Sequence, residues 1–177
     1  PTVPATAIGP VTPGNAANAV LPNGVNVQVT SVLIDPRNGD NLISIITPAY
    51  NVARFLPQTV ASVQAQTLSS WEIIIADDCS HDQTVAVAND LARCDPRIRV
   101  VQNQRNSGPG ETRNTALRLA RGRYIAFLDS DDLWFPHKLR VQLECMKRFD
   151  CAFTCSAFRR MSEDGDRVGS LVPVPRV

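Results

Sequence analysis

The sequence predicts an α/β fold, a three-layer arrangement in which a mostly parallel sheet is flanked by helices. Three observations predict it. Short apolar runs bounded by turn residues alternate along the chain with segments whose apolar residues recur at helical spacing. The stretches between successive runs are long enough for helical crossovers, which are right-handed within one sheet and make its strands parallel. Polar, chemistry-bearing residues follow four successive runs directly, where a parallel sheet gathers its loops at one rim.

Residues 1–34 carry no charged side chain and five prolines, whereas all 18 Lys+Arg and all 17 Asp+Glu lie beyond them. Residues 1–40 therefore read as a Pro/Ala/Asn-rich leader or linker, uncharged as far as Ile34, and residues 41–177 as one domain. Within the leader, VNVQVTSVLI (residues 25–34) alternates well enough to add an edge strand. The first residue is Pro1, as expected of a processed or cut chain.

From Leu42 the alternation becomes regular. LISIIT (42–47) is a strand, and Leu56, Val60 and Val63 mark a helix after it. WEIIIA (71–76) is a second strand, with Val85, Ala88, Leu91 and Ala92 marking the next helix. RIRVV (97–101) is a third, followed by a helix from Pro109 to about Ala120, with the proline suitably placed in the first turn. RYIAFL (123–128) is a fourth, and Leu139, Leu143 and Met146 give the helix after it a buried stripe. CAFTCSAF (151–158) is expected as a fifth strand, with EDGDR as the turn of a hairpin.

Composition narrows the function classes. With 177 residues, 44% hydrophobic and 20% charged, the chain can bury a substantial core. The net charge of +1 gives no electrostatic footprint for nucleic acid. No apolar run approaches a membrane span and no signal peptide is evident, so a cytoplasmic placement is expected. The five cysteines (Cys79, Cys94, Cys145, Cys151, Cys155) are irregularly spaced and only two histidines accompany them, a pattern of reduced thiols rather than a zinc site.

Four segments follow strands and carry the chemistry: TPAYN (47–51), DDCS (77–80), NSGPGETRN (106–114) and DSDD (129–132). The acids of the last have a bland alternative, since Asp is a good N-cap and Asp132 can serve as one. A calcium loop of the EF-hand type fails, because Trp134 stands where Gly is required and Arg140 where Glu is required. A dinucleotide-binding fold is disfavoured as well, since TPAYN replaces the glycine-rich turn expected after the first strand.

In this order and spacing, SIITPAYN, IIIADDCS, NSGPGETRN and YIAFLDSDDLW resemble the family 2 glycosyltransferases of the Rossmann-like GT-A fold, over about residues 42–172. The resemblance implies a transferase that moves a sugar, with inversion, from a nucleotide-sugar donor, typically a UDP-sugar, to an acceptor hydroxyl. The acceptor would be a carbohydrate, a lipid-linked sugar or a protein; a lipid-linked acceptor would bring the chain to the inner face of a membrane. A divalent cation, Mg²⁺ or Mn²⁺, neutralises a diphosphate leaving group, and one or two carboxylates commonly hold it. Asp129 and Asp131, two apart on extended chain, project to the same side. The resemblance makes Asp131 the direct metal ligand and gives Asp129 to the metal, the ribose or the sugar, with Ser130 between them.

By the same resemblance Asp78 accepts a hydrogen bond from the base, Tyr50 stacks on or flanks it beside Pro48, and Asp77 belongs to the nucleotide site. An Asx turn is the alternative for both aspartates. Arg113 and the helix start at Gly108 suit a diphosphate, whereas a solvated helix arginine paired with Glu111 or another acid is the alternative. The family's general base is a carboxylate in the second half of the domain. The sole Glu-Asp pair here, Glu163-Asp164, lies in a turn, so the base is expected beyond Val177. The alternative function is a truncated module that binds nucleotide sugar without transfer.

Overall fold

The computed structural model describes residues 32–34 and 42–173. Its elements are β1 (Val32–Ile34), β2 (Ile43–Ala49), α1 (Leu56–Gln64), β3 (Trp71–Asp77), α2 (Thr84–Cys94), β4 (Ile98–Gln102), α3 (Gly108–Leu117), β5 (Tyr124–Phe127), α4 (Lys138–Phe149), β6 (Phe153–Thr154), β7 (Phe158–Met161) and β8 (Val168–Val172). The main sheet runs β4-β3-β2-β5-β1-β6, and β7 pairs with β8 alone. Strands β2 to β5 are parallel and β1 is antiparallel to both neighbours.

The central strands are hydrophobic on both faces because helices cover both. Ile43, Ile45, Ile73 and Ile75 pack on one side with Leu56, Val60 and Val63 of α1, Ala88 of α2, and Leu139, Leu143 and Met146 of α4. On the other side Ile46, Ile74, Ala76 and Ile125 meet Ala116 of α3. The chain adds β3 and β4 outward on one side of β2 and then returns to place β5 on the other. That reversal is a topological switch point between β2 and β5, where open α/β sheets bind ligands.

At the opposite end of the strands, Glu72 accepts hydrogen bonds from Ser44 Oγ (2.7 Å), Arg121 N (2.8 Å) and Arg99 Nη1 (3.1 Å). This buried network ties the start of β5 to β2 and β3, so the sheet is braced away from the rim it presents.

Three expectations are corrected. The leader strand is not an edge: its described part, β1, lies between β5 and β6, and residues 25–31 fall outside the described residues. The strand expected over 151–158 divides, because β1 offers partners only for Phe153 and Thr154; Phe158 then opens the β7–β8 hairpin. On α2, Val87 rather than Val85 packs against the core. No described helix is long and apolar enough to cross a membrane.

Candidate active site

The crevice begins where β2 and β5 part. Their register ends at Ile46↔Phe127, with Leu128 N donating to Ile46 O (3.1 Å), while β2 continues against β3 to Ala49↔Asp77. Backbone groups of alternate residues point to the same side of a strand, so the missing N–H of Pro48 falls on the β5 side. Pro48 thus prevents the ladder from closing over the switch point.

Two loops are stitched together at this rim. Asn51 (φ 53°) and Cys79 (φ 59°) both adopt the left-handed conformation. Asn51 N donates to Ser80 Oγ (2.9 Å), His81 N to Asn51 Oδ1 (2.8 Å), and Val52 N to Thr84 Oγ1 (2.8 Å). The stitched loops hold Tyr50 45% exposed, edge-on to His81 with ring centroids 6.4 Å apart. Tyr50 consequently offers an open aromatic face beside the crevice.

The adjacent aspartates point to opposite faces of the sheet. Asp77 is fully buried; Oδ2 accepts from Ser80 N (3.1 Å), while Oδ1 has no partner among the described residues, as is also true of the buried Thr47 Oγ1. Asp78 accepts from Asn103 Nδ2 (2.8 Å), Ser107 N (2.9 Å) and Gly108 N (2.8 Å). Burial pushes its carboxyl up, but the hydrogen bonds from Asn103, Ser107 and Gly108 outweigh burial and hold it below the usual carboxylate range.

The expectation that the α3 start awaits diphosphate is therefore altered. Gly108, at φ +81°, directs its N–H to the protein's own Asp78, and Pro109 has none to give. Asn103 and Thr112, not singled out in the sequence, complete this arrangement, with Asn103 Nδ2 also donating to Thr112 Oγ1 (3.0 Å). Asn103 directly follows β4, and its place at the rim was the available signal.

The acidic loop separates its members. Asp129 pairs with Arg113 Nη2 at 2.5 Å, and Arg113 thus meets neither Glu111 nor solvent fully. Ser130 is buried, its carbonyl accepting from Thr59 Oγ1 (2.8 Å). Asp131 is exposed and makes no hydrogen bond with the described residues. Asp132 is half-buried; burial first, then the charges of Asp129 and Asp131, push its carboxyl up to about 6. Among the described residues no three His, Cys, Asp or Glu side chains form a ready-made metal cage.

Glu163 and Asp164 occupy the β7–β8 turn. Asp164 Oδ1 accepts from Ser162 Oγ (2.5 Å) and Asp166 N (3.1 Å), and Glu163 pairs with Arg54 at 3.3 Å. Lys138 lies over the Trp134 ring at 4.6 Å, and burial pushes it down to about 8.

Comparison with known proteins points the same way as this geometry. The family model described as Glycosyl transferase family 2 matches residues 44–171. "Putative teichuronic acid biosynthesis glycosyltransferase TuaG" of Bacillus subtilis is 44% identical over 138 residues, 78% of this chain and 55% of that protein. The chain spans about half the length of the curated relatives it matches. Among solved structures, S. aureus TarS 1-349 in complex with UDP-GlcNAc matches at TM-score 0.56 and 32% identity, over 60% of this chain and 31% of that one. The mannosyltransferase PcManGT from Pyrobaculum calidifontis, in complex with GDP-Man and Mn²⁺, matches at TM-score 0.50 and 27% identity, over 57% of this chain and 30% of that one.

Proposed function

The chain belongs to glycosyl transferase family 2, and from that premise we propose that it forms the donor site of a metal-dependent, inverting transferase that uses a UDP-sugar. The observation that carries this reading is convergence. Tyr50, Asp78 and Asp131 come from three separate loops and Arg113 from α3, and these segments follow the carboxyl ends of four parallel strands around one switch point. TarS, the neighbour solved with UDP-GlcNAc, favours uracil as the base.

In this reading the base stacks on the open face of Tyr50, beside the Pro48 edge of the crevice. Asp78 Oδ2, which accepts a single hydrogen bond among the described residues, retains a lone pair for a base N–H. Asp77 Oδ1 and Thr47 Oγ1, buried without partners, are the acceptor and hydroxyl left over for the nucleoside.

The donor set of the acidic loop fits a divalent cation. Carboxylate oxygens are hard ligands suited to Mg²⁺ or Mn²⁺, which complete their shells with phosphate oxygens and water. Asp131 has both oxygens uncommitted among the described residues, and it stands with Asp129 and Asp132 in a loop of three carboxylates. Bound there with Asp131, the cation would neutralise the departing diphosphate. Asp129 and the buried Ser130 turn would orient the ribose and sugar, while Thr59 fixes the loop from α1.

A second reading, donor binding without transfer, is favoured by one observation. Glu163 and Asp164 are committed to the hairpin turn and to Arg54 rather than to the crevice. Titrating the chain with UDP, GDP and ADP in the presence of Mn²⁺ tests the donor site. UDP should bind about tenfold tighter than either purine nucleotide, a difference of ~1.4 kcal/mol; equal affinities would contradict the reading. UDP release from UDP-sugar that rises when an acceptor is supplied separates the transferase from the binding module.

A further inference from the structure

We propose that Arg113 is a positioning residue that holds Asp129 in place and does not itself bind the donor diphosphate. The proposal rests on the donor-site reading and changes one role within it. Alternation along β5 and its extension puts Ile125 and Phe127 on the α3 side of the sheet, and Asp129 follows them to that side. Arg113 reaches it from the second turn of α3, where Nη2 and Oδ1 are 2.5 Å apart and each side chain is 18% exposed.

The helix turn that carries Arg113 is anchored independently of any ligand. Asp78 binds the N–H groups of Ser107 and Gly108, Thr112 Oγ1 donates to Gly108 O (2.8 Å), and Asn103 bridges Asp78 and Thr112. Arg113 therefore sits on a fixed platform aimed at the acidic loop. Its ion pair with Asp129 is the only polar contact its guanidinium makes among the described residues.

Turning the guanidinium toward a diphosphate would leave Asp129 largely buried and unpaired, beside Asp131 and Asp132. Breaking a partly buried pair in that way is strongly unfavourable, because one charge stays without compensation. The pair does more work intact. It cancels one of three neighbouring negative charges before an anionic donor arrives, and it leaves Asp129 Oδ2 without a partner among the described residues, free to accept a donor hydroxyl.

The test is a double-mutant cycle with Arg113→Gln, Asp129→Asn and their combination, with Arg113→Lys as the conservative variant. Calorimetry reads UDP and inorganic pyrophosphate, each with Mn²⁺, and thermal unfolding is read in parallel. Arg113→Gln should weaken UDP while leaving pyrophosphate within about twofold of wild type, and Arg113→Lys should recover part of the UDP loss. In the Asp129→Asn background the Arg113 change should add nothing further. A tenfold or greater loss of pyrophosphate in Arg113→Gln, or UDP losses that multiply, would overturn the proposal. Tm losses that simply add across the cycle would overturn it without reference to any ligand, whereas wild-type chain that binds no UDP would count against the donor site itself.

Discussion

Asp78 shows how much one carboxylate does at this rim. It receives three donors, two of them backbone N–H groups at the start of α3. Asp78→Asn replaces one acceptor oxygen by a second donor, so at least one buried N–H loses its partner, at a cost of about 1–3 kcal/mol. Urea unfolding at pH 7 should show that loss. Because hydrogen bonding holds this carboxyl below its ordinary range, its contribution is fully present above the unfolded value of about 3.9 and is lost as pH falls through the lower folded value. The gap between wild type and Asp78→Asn should accordingly narrow below about pH 4; a gap unchanged down to pH 2 would remove the ionised carboxylate from the explanation. The placing of Asp78 and Arg113 after parallel strands was legible in the sequence, but their partners were not. Motif spacing places residues on loops, and only the fold decides that Asp78 caps α3 and Arg113 meets Asp129.

At the level of elements, the parallel strands and their helices were readable because each strand is an apolar run and each helix shows its own period. What escaped was the handling of short pieces. A three-residue β1 has no periodic signal, and its position between β5 and β6 depends on contacts far apart in sequence. Two elements can be tested directly. Gly122 approaches β2 so closely that an added Cβ would lie 2.6 Å from both Leu42 O and Ser44 N. Gly122→Ala should destabilise the protein by about 2–3 kcal/mol, since backbone atoms must give way; a melting temperature equal to wild type would contradict that packing. At the start of α4, the burial that lowers Lys138 from 10.5 to about 8 disfavours its charged form. Stability from this group rises with pH between those values, as the folded state binds fewer protons than the unfolded. Lys138→Met should therefore stabilise the protein at pH 7 by about 1 kcal/mol, net of the lost contact with Trp134 and the lost hydrogen bond to Gln142 Oε1. The advantage should fade toward pH 10.5, and a gain that is flat with pH would contradict the buried-charge account.

Across the whole molecule, one topological decision creates the site. Returning the chain from β4 to β5 across β2 opens a crevice at the switch point, and the four motif loops that follow β2, β3, β4 and β5 empty into it. The Glu72 network ties β2, β3 and the start of β5 together at the other end of the sheet. The alternation of the sequence made this architecture expectable, whereas the separation of the acidic loop into a paired Asp129 and an uncommitted Asp131 required the packing of α3. That separation makes Asp131 the residue on which the central claim depends. Calorimetric titration of UDP into the chain, with Mn²⁺ and then with chelator, tests it most directly. The account predicts affinity at least about tenfold tighter with Mn²⁺, equivalent to ~1.4 kcal/mol, and predicts that Asp131→Ala erases the difference while the unfolding transition is kept. Equal UDP affinity with and without the metal, or an undiminished metal effect in Asp131→Ala, would contradict it.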